Sequence, residues 1–362
     1  MVERKPPGAP SVTDATPGAP GSSTTDGEAG AHLRAVAVDE SGPRVARASE
    51  TMAALATSLG SVVRGKADQI QLVICALASG GHVLFDDVPG TAKTVLSRAI
   101  AQSINGATGS RIQCTPDLQP ADVTGSSVYN QKTRDFEFHT GPIFANVVLL
   151  DEVNRATPKT QAALLEAMAE RQVTVDGVTR LLPSPFLLLA TENPIEYEGT
   201  FLLPEAELDR FFLRTSLGYP GAGDELDVVR DQRHGHPLDA VVGVVDIAEV
   251  LDMQQVVDDV YVDPLIQEWI IALVRATRDL GIVDLGASVR GSLALDRGVR
   301  AWALAAGRDY VVPSDVERLL VPVLAHRVLF SAVFAAEARR RGRHAALDEF
   351  AARCLEAAPP PA

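Results

Sequence analysis

The sequence predicts an α/β fold, a parallel sheet between helices, followed by a small all-helical domain. Three observations lead there. Between residues 66 and 219, four nearly continuous apolar runs alternate with helical stretches. One run leads through a Gly-containing loop into a helix, the layout of a phosphate-binding turn. After residue 221 the strand pattern stops and amphipathic helices take over.

The first thirty residues hold five prolines and five glycines and no aromatic, leucine or isoleucine. Such a segment buries too little apolar surface to offset its ordering entropy, so residues 1–46 read as a disordered tail. Order is expected from the amphipathic stretch "ASETMAALATSLGSVV". "HVLF", "RIQCT", "NVVLLD" and "FLLLATEN" then read as buried parallel strands. Between the last two lies "TPKTQAALLEAMAE", a helix with Thr157 as its cap and Pro158 in its first turn. Asp176-Gly177, flanked by two short runs, signals a type I′ hairpin, and "DFEFH" is a short alternating strand outside the main series. In "DPLIQEWIIALVRATRDL", Leu265, Trp269 and Leu273 form one stripe beside Ile266, Ile270 and Val274, with Asp263 and Pro264 at the start. "PSDVERLL" reads as a capping box between Ser314 and Glu317. The boundaries are a tail over 1–46, the α/β domain over 47–220, the helical domain over 221–356 and a short tail over 357–362.

The 362 residues are 46% hydrophobic with a formal charge of −14, which argues against a protein that grips nucleic acid through its overall field. Cys75, Cys114 and Cys354 lie far apart, neither a disulfide framework nor a zinc spacing. The N-terminus lacks the apolar stretch of a signal peptide, and no run approaches membrane-spanning length. A soluble, cytoplasmic protein is the expectation.

"DVPGTAKT" departs from G-x-x-x-x-G-K-[ST], with Asp87 and Ala92 at the glycine positions. A cradle over Asp87, Val88, Pro89, Gly90, Thr91, Ala92, Lys93 and Thr94 would turn backbone N–H groups toward an anion, with Lys93 on the phosphates and Thr94 on Mg²⁺. Ala92 is acceptable there if its position is already helical. Asp87 is acceptable if its carboxylate points away from the phosphates. Alone, the passage fits a plain strand-to-helix turn equally well. "VVLLDEVNRA" places Asp151 and Glu152 at a strand end, one carboxylate for a metal shell and one for the attacking water. Asn193, at the end of "LLLATEN", suits water positioning or a turn before Pro194. Arg210 suits phosphoryl-charge stabilisation or an ion pair with Glu207 or Asp209, and Arg290 opens a helix from which it reaches a phosphate, or stands there without a ligand. The histidines of "HGH" at 234–236, His82 and His139 read as loop or packing residues, and "ARRRGRH" as a solvated helix end.

Five stretches in order, "DVPGTAKT", "TPDLQPADVTGSSVYN", "GPIFANVVLLDEVNRA", "ATENPIEYEGTFLLPEAELDRF" and "GASVRGSLAL", resemble the MoxR group of AAA+ ATPases across residues 50–330. The resemblance implies an AAA+ P-loop NTPase core with a helical lid, using ATP and Mg²⁺, in a homo-oligomeric ring, commonly hexameric, with nucleotide between subunits. Lys93 and Thr94 match Walker A, Asp151 and Glu152 match Walker B, and Asn193 matches sensor 1. Arg210 matches the arginine finger and Arg290 sensor 2. "DFEFH" falls at the helix-2 insert, and "QVTVDGVTRLL" at the pre-sensor hairpin. Glu192 stands where glutamine is frequent and Val289 where proline is frequent. The implied function is remodelling or activation of a separate partner, often one carrying a von Willebrand factor A domain. Chelatase or enzyme-activase motors share these residues. A nucleic-acid motor and a non-hydrolysing nucleotide-gated scaffold are the alternatives of other classes.

Overall fold

Successive strand residues face opposite ways, so a run that is apolar throughout can serve two cores at once. Val147 and Leu149 enter one apolar cluster, Val148 and Leu150 the other, and Leu187–Ala190 alternate in the same way. The computed structural model describes residues 41–361 apart from 89, 194–199, 232, 234 and 236. Its central sheet has five parallel strands in the order Leu213–Thr215, Val83–Asp86, Leu187–Glu192, Val147–Asp151, Gly109–Gln113. Four of these are the expected runs, but the one over "RIQCT" is an edge strand in which only Ile112 is buried, not the buried strand expected. The fifth, Leu213–Thr215, has three residues and too little pattern to be read beforehand. All five C-terminal ends fall on one edge, where ligands of open α/β sheets bind.

Both hairpins form. Gln172–Val175 pairs with Val178–Leu181 across Asp176 and Gly177, whose φ values of 53° and 74° fit the type I′ turn. The "DFEFH" strand, Asp135–Thr140, pairs with Gly125–Asn130, a partner absent from the sequence reading. The Arg180 guanidinium lies 3.7 Å from the centroid of the Phe138 ring and ties the two hairpins together.

Helices from residue 222 onward complete the fold, and one apolar cluster joins them to a sheet face and to the helices Ser41–Val62 and Ala67–Ala78. The lid thus shares its core with the α/β layer. Several local expectations change. The first helix starts at Ser41, inside the stretch assigned to the tail, and the last one, Arg343–Ala357, is fastened beyond its end by Trp269 Nε1–H donating to the Ala358 carbonyl at 2.8 Å. In Pro264–Ala276, Ile266, Trp269, Ile270, Leu273 and Val274 are buried while Leu265 is exposed, and Asp263 caps the Leu265 N–H at 2.9 Å. The Ser314–Glu317 box does not form: Pro313 opens that helix, and Asp315 reaches back to the Val312 N–H at 2.9 Å. Thr157 stands at the cap position of Pro158–Glu170, but its hydroxyl meets that of Thr160 instead of a backbone N–H. Among the described residues no helix is long and apolar enough to cross a membrane. The tail to residue 40, Pro89 and the histidines at 234 and 236 lie outside the described residues.

Candidate active site

Strand Val83–Asp86 delivers the chain into the loop, and helix Lys93–Ser103 carries it away. Gly90 has φ 85°, and a Cβ placed on it would meet nothing within 4 Å, so its backbone lines open space. Ala92 corrects an expectation: with φ 64° and ψ 16° it is left-handed rather than helical, and the helix begins one residue later. A non-glycine residue there carries strain of about 1–2 kcal/mol. The loop has to turn sharply to present the helix N-terminus, and Ala92 takes that turn. Lys93 Nζ donates to the Val88 carbonyl at 2.8 Å and the Thr91 hydroxyl at 2.9 Å. Burial pushes the Lys93 pKa down, and the carboxylates of Asp87, Asp151 and Glu152 pull it back up.

Asp87 is buried and its carboxylate is fully engaged away from the loop. It accepts from the Ser216 hydroxyl at 2.6 Å, the Leu217 N–H at 2.7 Å and the Gly218 N–H at 2.9 Å. The side chain therefore anchors the loop entrance to the turn after the fifth strand.

Opposite the loop, Asp151 Oδ1 accepts from the Thr191 hydroxyl at 2.8 Å, and Oδ2 pairs with Arg111 at 2.6 Å. Glu152 also adopts a left-handed backbone, φ 55°, and its N–H donates to Thr191 Oγ1 at 2.8 Å. Glu152 Oε2 accepts from Gln113 Nε2 at 3.2 Å and Arg155 at 3.0 Å. Two non-glycine residues in that conformation at one site are the sort of strain that function maintains. Asp87, Gly90, Thr91, Ala92, Lys93, Thr94, Asp151, Glu152 and Asn193 all line one cavity of about 480 Å³. Arg111, Gln113 and Thr191 line it too, and sequence reasoning missed them as site residues. Arg111 and Gln113 alternate along one strand and so share a face, the signal that could have found them. Among the described residues no three His, Cys, Asp or Glu side chains converge to hold a metal.

Arg210 and Arg290 are elsewhere. They line a second cavity of about 330 Å³ with His82, Arg171, Asp209 and Arg327, and no residue lines both cavities. Arg210 forms no salt bridge with Glu207 or Asp209: Asp209 pairs with Arg327 at 2.7 Å, and the Arg210 charge acts on Glu207 only through space, opposing the rise in its pKa from burial. Among the described residues neither the Arg210 nor the Arg290 guanidinium has a hydrogen-bond or salt-bridge partner. Val289, exposed, simply opens the helix behind the Ser288 cap.

Other readings sort similarly. His82 is a packing residue: its Nδ1 accepts from the Leu188 N–H at 3.1 Å, and burial with nearby Arg171 lowers its pKa to about 3. The three cysteines are free and buried, and burial pushes the Cys114 and Cys354 thiols up to about 12. Glu192 is raised by burial and pulled back by Arg214, which also bridges to Asp86. The arginine run is more than a solvated end, because Arg343 pairs with buried Asp86.

Comparison with known proteins matches residues 82–213 to the ATPase family associated with various cellular activities (AAA) and residues 275–349 to the AAA lid domain. The uncharacterised protein YeaC of Bacillus subtilis is 49% identical over 271 residues, 75% of this chain and 84% of that protein. The chaperone MoxR1 of Mycobacterium tuberculosis is 39% identical over 279 residues, 75% of this chain and 73% of that protein. A crystal structure assigned as an ATPase, from Cytophaga hutchinsonii, superposes with a TM-score of 0.78 at 34% identity, covering 87% of this chain and 97% of that one.

Proposed function

The chain belongs to the MoxR family of AAA+ ATPases and hydrolyses ATP, and from that premise we propose that its catalytic sites are completed between subunits of a homo-oligomeric ring, a hexamer, that remodels or activates a separate partner protein. The proposed domains are an α/β nucleotide-binding part to about residue 220 and a helical lid from 221. Within one subunit, backbone N–H groups of the loop and the start of helix Lys93–Ser103 face the phosphates, and Lys93 adds the side-chain cation. The Thr94 hydroxyl and Asp151, the latter through water, suit a Mg²⁺ ion. Held there, such an ion would supply charge neutralisation for phosphoryl transfer. Glu152 orients the attacking water and takes its proton, and Asn193 positions that water. Arg210 and Arg290 stabilise charge on the nucleotide of the neighbouring subunit.

The observation that carries this reading is the separation of the two cavities. Two guanidinium groups with no hydrogen bond or salt bridge among the described residues line a cavity that shares no residue with the phosphate loop of their own chain, and a second copy is the proposed means of bringing them to one. The partner is best sought among chains carrying a von Willebrand factor A domain. The relative named a chaperone agrees with a protein client.

Subunit mixing tests the central claim. Lys93→Ala subunits do not hold ATP, and Arg210→Ala subunits hold it without turnover. Combined, some interfaces pair an Arg210→Ala subunit holding ATP with a Lys93→Ala subunit supplying Arg210, and turnover partly returns. A wild-type monomer that is fully active on dilution overturns the reading.

A further inference from the structure

Arg210 and Arg290 come from different parts of the chain, yet one carboxylate fixes both, and we infer that Asp209, Ser288 and Arg327 form a positioning unit that sets the two arginines as a single face. The inference rests on the between-subunit reading above. Asp209 directly precedes Arg210. Its Oδ2 accepts from the Ser288 hydroxyl at 2.9 Å, and Ser288 Oγ in turn accepts from the Arg290 N–H at 3.1 Å. Ser288 is the cap of helix Val289–Ala305, so the same oxygen that holds the helix start is itself held by Asp209. The other carboxylate oxygen, Oδ1, accepts from Arg327 Nη1 at 2.7 Å.

Arg327, from the turn after helix Pro313–Leu324, locks the opposite side. Its guanidinium also donates to the carbonyls of Asp209 at 2.7 Å, Phe211 at 2.5 Å and Val323 at 2.8 Å. Its side chain is 3% exposed. Burial lowers its pKa, Asp209 opposes that, and the nearby Arg290 charge adds to the lowering. A buried ion pair is a poor device for stability, since apolar residues of similar volume often do as well. What it does supply is a fixed geometry. Backbone carbonyls on both sides of Arg210 and the start of the Arg290 helix are all referred to one guanidinium–carboxylate pair. With both Asp209 oxygens occupied, Arg210 is also not neutralised by its own neighbour in sequence.

An arginine that acts only in the transition state must arrive in register. Misplacement by about 1 Å costs on the order of 100-fold in rate. Loss of the unit therefore lowers turnover without lowering ATP affinity, because the phosphate cavity shares none of these residues.

Ser288→Ala is the mildest perturbation, removing the hydroxyl that links Asp209 to the Arg290 helix. We expect kcat to fall about tenfold, as a partial loss of positioning should, with equilibrium binding of a fluorescent ATP analogue within about twofold of wild type. Ser288→Thr, which keeps the hydroxyl and can still cap, restores kcat. An unchanged kcat in Ser288→Ala, or a parallel loss of ATP affinity, overturns the assignment. Placement within mixed rings separates this inference from its premise. Added to the Lys93→Ala subunit, which supplies Arg210, Ser288→Ala should suppress the restored turnover. Added to the Arg210→Ala subunit, which only holds ATP, it should leave that turnover intact. Equal damage from both placements refutes the positioning unit alone, whereas silence of the parent mixture refutes the between-subunit reading beneath it.

Discussion

Replacing Asp87 by glycine restores the residue that phosphate loops usually carry at this place, yet the structure predicts a destabilised protein rather than a better binder. The carboxylate accepts three hydrogen bonds, two of them from the backbone N–H groups of Leu217 and Gly218. Asp87 is only 5% exposed. The Ser216 hydroxyl can turn to another acceptor, but the two N–H groups cannot. Leaving a buried donor unsatisfied costs about 1–3 kcal/mol, so the pair amounts to roughly 3 kcal/mol. At roughly 2 °C per kcal/mol for a chain of this size, the melting temperature should fall by about 6 °C. Asp87→Asn, keeping one acceptor oxygen, should lose about half as much. ATP affinity of the folded protein should change little, because the carboxylate is aimed at residues 216–218; its charge is the largest of the three that raise the Lys93 pKa, but Asp151 and Glu152 remain to do so. Thermal melts with and without ATP, alongside equilibrium binding, measure both. An unchanged melting temperature with a tenfold gain in affinity would mean that Asp87 faces the phosphates and that its three bonds are wrong.

Ala92→Gly should act in the opposite direction. Relief of a left-handed alanine, worth about 1–2 kcal/mol, exceeds the entropic penalty of glycine, about 0.5–1 kcal/mol. A gain approaching 1 kcal/mol in chemical denaturation is expected, and a loss would remove the strain argument. Glu152→Gln should bind ATP and turn it over on the order of 100-fold more slowly. Full turnover would take the water-orienting role away from that residue.

The three inner strands were legible because their runs are nearly apolar throughout, and burial on both faces demands that. Leu213–Thr215 was not, since three residues beside a phenylalanine pair present no period of their own. The capping box was misplaced by local similarity: Ser314 and Glu317 have the right spacing, but Pro313 fixes the helix start earlier and hands the role to Asp315. At the site, the residues at strand ends and in the loop could be gathered from order along the chain. Their orientation could not. Sequence shows a carboxylate at position 87 without saying where it points, and that is settled by the N–H groups of a turn about 130 residues away. The partners Arg111, Gln113 and Thr191 were hidden for a related reason. Arg111 and Gln113 stand on the exposed face of an edge strand and Thr191 in a buried one, and their part in the site becomes visible only when the neighbouring strand is known.

The two halves of the proposed catalytic centre are built by different means toward the same end. On the phosphate side, Thr191 accepts from the Glu152 N–H and donates to Asp151, while Gln113 reaches Glu152, so three adjacent strand ends fix both carboxylates. On the arginine side, Asp209 and Arg327 fix the guanidinium-bearing segments through the lid. Each half is thus tied to its own rigid elements, and no residue is shared between their cavities. If sites form between subunits, the one distance left free is that from Arg210 to the neighbour's Lys93. Turnover then becomes a readout of how closely two subunits approach. A client that pulls neighbours apart or presses them together would change the rate of hydrolysis without touching a catalytic side chain.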